Sequence, residues 1–101
     1  MSIKKFYAKA TPSCKVTFSL ANEIAASANH ANLAGDFNNW NTESIPMKKS
    51  KNGKFSVSID LEKGREYQFK YFIDGNTWKD ELEADNHVPN EFEGTNSVIS
   101  I

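Results

Sequence analysis

A two-residue alternation running through the middle of the chain most limits what it can fold into. Phe55, Val57, Ile59 and Leu61 alternate with Lys54, Ser56, Ser58 and Asp60. Tyr67, Phe69, Tyr71 and Ile73 alternate with Glu66, Gln68, Lys70, Phe72 and Asp74. Successive side chains of a strand point to opposite faces, so each run describes a strand with one face in a core and one in water. Val16, Phe18 and Leu20, set against Lys15, Thr17 and Ser19, make a third. Residues 30–35, 45–49, 77–79 and 97–101 carry weaker versions of the pattern.

The residues between these runs agree with it. Asn52-Gly53 and Asp74-Gly75 tolerate positive φ at both positions of a tight hairpin turn, and Glu62-Lys63-Gly64 makes a third short connection. Pro12, Pro46 and Pro89 fall where a missing N–H does no harm. Residues 22–28 can form a turn or two of helix capped by Asn22, too short to be stable alone. Any helix is therefore expected within about residues 22–29. With turn signals every 8 to 12 residues, about seven short strands predict an all-β antiparallel sandwich. Residues 1–13 read as an N-terminal arm and residues 14–101 as the sandwich domain.

The 101 residues suit one small domain with a single core. Twelve Lys and Arg against thirteen Asp and Glu leave a net charge of −1, which offers no electrostatic pull towards nucleic acid or an anionic membrane. The basic run 48–54 surrounds a turn and reads as a solvated hairpin tip. Cys14 is the only cysteine, so no internal disulfide can form. No segment has the length of a signal peptide or a membrane span, and the cytoplasm is the expected location. His30 reads as a strand-edge residue and His87 as an exposed loop residue. Neither has a second His or Cys at ligand spacing, so no metal or cofactor is expected.

Trp40 and Trp78 stand outside the alternating runs, each in a stretch of turn-forming residues. On a structural reading, each indole closes an end of the sandwich with its N–H bonded to a loop carbonyl. On a binding reading, the two rings join Lys70 and Phe72 in an exposed patch. Such a patch suits a sugar, whose C–H face packs on a flat ring and whose hydroxyls need Asn, Lys and Thr at the rim. A nucleic-acid base stacks as well, but the charge balance argues against it.

A resemblance sharpens this. "LAGDFNNWN" followed by "PM", then "GKFSVSIDLEKGREYQFKYFIDGNTW", then "NSVISI" resembles the family 48 carbohydrate-binding modules. That family includes the isoamylase N-terminal early-set domains and the glycogen-binding domain of AMP-activated protein kinase β subunits. The resemblance covers roughly residues 14–101 and implies an immunoglobulin-like sandwich that binds α-1,4-linked glucan such as glycogen, starch or maltodextrin. It implies that Trp40, which ends "FNNW", and Trp78, which follows the "DG" turn after one extra residue, stack on sugar. It further implies that Lys70 and Asn96 bond sugar hydroxyls, and that Phe92 stands near the apolar contact of the late loop, here flanked by Glu91 and Glu93.

The leading expectation is a free-standing, non-catalytic glucan-binding module. An alternative is a regulatory subunit that docks a glucan-metabolising enzyme. Glycoside hydrolysis is the third reading. It needs two carboxylates about 5–10 Å apart across the scissile bond, whereas Asp36, Asp74, Asp80, Glu81, Glu83 and Asp85 fall in turns or in the acidic stretch 80–93. Solvation and turn hydrogen bonds account for such positions. A glycosyl hydrolase label on this chain would be inherited from enzymes that carry the module beside a separate catalytic barrel.

Overall fold

The structure, a computed structural model, describes residues 3–7, 12–20, 28–51, 53–81, 83–90 and 94–101. Among these residues nine strands form: β1 (Ile3–Tyr7), β2 (Ser13–Ser19), β3 (Ala31–Gly35), β4 (Lys48–Lys49), β5 (Phe55–Glu62), β6 (Glu66–Ile73), β7 (Thr77–Lys79), β8 (Asn86–Pro89) and β9 (Thr95–Ser100). They make two antiparallel sheets, ordered β1-β2-β5-β4 and β3-β6-β9-β8, with β7 also paired to β6. The result is the expected immunoglobulin-like β-sandwich.

Its core is the set of inward phases read from the alternation. Cys14, Val16, Phe18, Phe55 and Leu61 of the first sheet face Leu33, Tyr67, Phe69, Tyr71 and Ile99 of the second. Phe18 and Phe69 meet edge to face across the sandwich, ring centres 5.0 Å apart. Each buried ring contributes about 1.5–3 kcal/mol, a large share of a net domain stability of about 5–15 kcal/mol. Contacts of this kind fix how one sheet sits on the other.

Strand β6 positions the site. One edge of its C-terminal half pairs with β3, Leu33 opposite Tyr71. Its other edge pairs with β9 over residues 66–69 and then with β7 over residues 71–73. The β6–β7 turn has left-handed Asp74 and Gly75, as the Asp-Gly pair requires, with φ of 52° and 71°. Asp74 Oδ1 also accepts the N–H groups of His30 and Asn29, each at 2.8 Å. Residues 45–47 bond β3, and from the very next residue the chain pairs with β5 in the other sheet. Pro46 sits at the crossing, where its neighbours Ile45 and Met47 supply the hydrogen-bonding groups.

Three expectations change. First, nine strands form among the described residues rather than about seven. Second, part of the N-terminal arm is a strand: β1 pairs with β2 from Ile3 opposite Phe18 to Tyr7 opposite Cys14. Ile3 reaches the core, and Lys5 Nζ donates to Asp85 Oδ2 at 2.7 Å and to the Ser100 carbonyl at 2.8 Å, tying the first sheet to the second. Third, the acidic stretch contains edge strand β8, so His87 is a strand residue, its Nε2 2.7 Å from the Glu81 carbonyl. Glu81 itself is buried rather than solvated. Its Oε1 accepts the Tyr71 hydroxyl at 2.7 Å, its Oε2 accepts the Glu83 N–H at 3.0 Å, and its own N–H donates to Ser97 Oγ at 2.8 Å. Burial first, and the Glu81 carboxylate second, push the Tyr71 phenol well above its ordinary range. The helix expected within 22–29 falls largely outside the described residues.

Candidate functional site

The site is built on the outer face of the second sheet, and its most constrained part is the loop after β3. Gly35 lies against β6 so closely that an added Cβ would stand 2.5 Å from the Gln68 carbonyl oxygen and 2.8 Å from the Phe69 Cβ. No other residue fits that approach without moving a strand. From Gly35 the chain makes one 3-10 turn, Asp36–Asn38, then two consecutive left-handed residues, Asn39 (φ 55°) and Trp40 (φ 58°). Asparagine tolerates that conformation, but for a bulky residue it is strained.

Hydrogen bonds from the loop's own side chains hold the conformation. Asn38 Oδ1 accepts the Gly35 N–H at 3.0 Å, and its Nδ2 donates to the Asn41 carbonyl at 3.0 Å and to Ser44 Oγ at 2.9 Å. The Trp40 N–H donates to the Gly35 carbonyl at 2.9 Å. Asp36 couples the loop to the sheet. Its Oδ2 accepts the Gln68 N–H at 2.8 Å, and its Oδ1 accepts the indole Nε1–H of Trp40 at 3.2 Å. The two aromatics of "GDFNNWN" therefore part. Phe37 turns inward against Phe18 and Tyr67, both centres 6.2 Å away, while Trp40 lies partly buried on the outer face.

Trp78 reaches the same place from β7. It lies opposite Phe72 in the β6–β7 ladder, with ring centres 4.6 Å apart. It stands 6.3 Å from Trp40 at an interplanar angle of 64° and remains 43% exposed. The two indoles form a corner rather than one flat platform. Beside them, Lys70 Nζ donates to the Thr95 carbonyl at 2.7 Å and lies 3.0 Å from Asp80 Oδ1. That second contact is ionic, its geometry being too poor for a hydrogen bond. Thr95 Oγ1 donates to the other carboxylate oxygen of Asp80 at 2.7 Å. Asn96 Nδ2 donates to Gln68 Oε1 at 3.0 Å, and its Oδ1 accepts from Asn90 Nδ2 at 3.1 Å, so three amides form a chain along the sheet.

Trp40, Gln68, Lys70, Trp78, Pro89, Asn90, Gly94 and Asn96 line one groove of about 780 Å³. Trp40, Lys70, Trp78 and Asn96 were singled out in the sequence, and the fold brings all four together. Phe92, with its neighbours Glu91 and Glu93, lies outside the described residues. Gln68 and Asn90 were not singled out. Gln68 shares the outward phase of Lys70, which is the sequence signal that could have found it. For Asn90 there is none, because only the pairing of β8 with β9 brings it beside Asn96.

Residues 8–87 match the family described as carbohydrate-binding module 48 (isoamylase N-terminal domain). The chain belongs to this family. The module is similar to protein PTST homolog 2, chloroplastic, of Arabidopsis thaliana, with 43% identity over 53 residues, which is 52% of this chain and 9% of that protein. It is also similar to 5'-AMP-activated protein kinase subunit beta-2 of Homo sapiens, 49% identical over 43 residues, covering 43% of this chain and 15% of that one. With subunit beta-1 of the same kinase from Rattus norvegicus it shares 35% identity over 69 residues, 68% of this chain and 23% of that one. The module thus spans less than a quarter of the length of these relatives.

Proposed function

We propose that the module binds α-1,4-linked glucan in this groove, with Trp40 and Trp78 stacking on sugar faces and Lys70, Asn96, Gln68 and Asn90 bonding hydroxyls. The observation that carries the reading is the pair of indoles 6.3 Å apart, inclined at 64° and bordered by three amides and one ammonium. An α-1,4-linked chain curves as it runs, and two inclined rings match a bend better than a straight ribbon. The role is non-catalytic. Hydrolysis needs two carboxylates about 5–10 Å apart across the scissile bond. Asp36 and Asp80, which flank the groove, are instead bonded to Trp40 and Gln68 and to Lys70 and Thr95.

A lone module with few contacts binds weakly, at about 10 µM to 1 mM. Titrating maltoheptaose or β-cyclodextrin into wild type, Trp40→Ala and Trp78→Ala tests the reading. Each substitution should weaken binding by roughly 5- to 150-fold, on the scale of aromatic stacking. No binding by wild type at millimolar sugar refutes the proposal.

A second reading, a subunit that docks a glucan-metabolising enzyme, is favoured by Phe6 and Tyr7, which are 68% and 49% exposed on β1, away from the groove. It predicts co-purification with a larger protein that is lost in Phe6→Ser/Tyr7→Ser. Retention of the partner by that variant counts against β1 as the contact.

A further inference from the structure

Among the described residues that line the groove, Lys70 is the only charged one. An ammonium set into an otherwise neutral, partly apolar groove would be a strong attractor of anions, since low-dielectric walls focus its field. The fold answers that charge from behind. Asp80 Oδ1 is 3.0 Å from Lys70 Nζ, and the two side chains are only 28% and 14% exposed. Asp80 is not itself part of the lining. Its other oxygen is fixed by the Thr95 hydroxyl at 2.7 Å, and the Thr95 carbonyl holds the Lys70 ammonium at 2.7 Å. One residue thus orients both members of the pair. Of the three N–H donors of Lys70, the Thr95 carbonyl takes one, Asp80 draws a second by charge, and the third is left for a ligand.

This arrangement is unlike one that recognises anions, in which the cation faces the ligand uncompensated and several N–H groups converge. It suits a ligand that needs a donor and brings no charge. We propose that Asp80 is a specificity-determining residue, cancelling the Lys70 charge so that the groove accepts uncharged glucan and discriminates against glucan that carries phosphate groups. The inference rests on the glucan reading of the groove. Asp80 touches no sugar and acts through Lys70, as a positioning and charge-balancing residue.

The test is a ratio of affinities. Maltoheptaose and its 6-phosphorylated counterpart are titrated calorimetrically into wild type, Asp80→Asn, Lys70→Gln and the double variant. Asp80→Asn keeps the shape, and its amide can still exchange a hydrogen bond with the Thr95 hydroxyl, which either donates or accepts. With the Lys70 charge exposed, preference should move towards the phosphorylated sugar by roughly three- to thirtyfold at low salt and should largely vanish at about 0.5 M salt. Lys70→Gln leaves the Asp80 charge uncompensated, so preference should move the other way. The double variant should return to the wild-type ratio. A merely structural role for Asp80 would weaken both sugars alike and leave the ratio unmoved. Should Asp80→Asn fail to fold, Lys70→Gln and the double variant decide the matter by the same ratio. Ratios equal within about twofold across the folded variants, short of the roughly threefold minimum expected, overturn the inference while leaving glucan binding intact. Failure of wild type to bind either sugar overturns the inference together with the reading of the groove.

Discussion

Trp40 offers a way to separate what a ring does from what its backbone costs. Its φ of 58° follows that of Asn39 at 55°, so two adjacent residues with side chains hold the left-handed conformation. For an L-residue other than glycine that conformation costs about 1–2 kcal/mol. Trp40→Ala removes the indole, its bond to Asp36 and its contact with Trp78, but keeps the Cβ and therefore the strain. An aromatic pair is worth about 0.5–1.5 kcal/mol and an exposed hydrogen bond rather less, so Trp40→Ala should destabilise by about 1–2 kcal/mol. Trp40→Gly loses the same contacts and also releases the strain, against an entropic cost of about 0.5–1 kcal/mol for glycine. The glycine variant should therefore be the more stable of the two, by about 0.5–1 kcal/mol. Urea unfolding followed by circular dichroism resolves a difference of that size when the slopes agree. Both variants should lose glucan affinity to the same degree, because neither has the ring. An alanine variant as stable as the glycine variant, or more stable, would refute the claim that the loop carries backbone strain to present Trp40.

Gly35→Ala should destabilise by about 1–3 kcal/mol or more, since its Cβ would stand 2.5 Å from the Gln68 carbonyl oxygen and 2.9 Å from the Phe37 ring. An unchanged melting temperature would rule that out. Burial alone would raise the Asp85 carboxyl, but hydrogen bonds from Lys5 and the Ser100 N–H, with the Lys5 charge, outweigh it and hold the carboxyl below its ordinary range. Stability from a lowered folded-state value is complete above the unfolded value of about 3.9 and drains away as pH falls through the folded one. Asp85→Asn should thus cost a few tenths of a kcal/mol at about pH 7, given that the pair is partly exposed and screened. It should also flatten the loss of stability between about pH 5 and 2, and parallel acid limbs in the two proteins would contradict this.

How legible each element was in the sequence depended on how many of its faces touch the core. β2 and β6 bury one complete face, and β5 buries Phe55 and Leu61 with Val57 and Ile59 half-buried between them, so inward and outward residues alternate and can be read directly. β8 is an edge strand whose Asn86, His87 and Pro89 are all exposed, and it carries no apolar phase to read. β1 is also an edge, with Ile3 as its one core residue, so its sequence resembled an arm. From its place in the acidic stretch 80–93, Glu81 is expected in solvent. It is buried because the Tyr71 hydroxyl and the Ser97 side chain lie where the strands bring them, and no local pattern signals that.

By itself the sequence determined which side chains of each central strand point in or out, where Asp74-Gly75 turns the chain, and that Phe37 and Trp40 share a run of turn-forming residues. These are local properties, set by a period of two and by the φ preferences of single residues. Only the tertiary structure decided that Trp40 meets Trp78, that Asn96 bonds both Gln68 and Asn90, and that Asp80 lies 3.0 Å behind Lys70. Those partners are brought together by strand pairing across long stretches of chain, above all by β6, which meets β3 on one edge and β7 and β9 on the other. Alternation says which face a residue occupies. The order and register of the strands, set by how the two inner faces pack, say which residues share that face at contact distance.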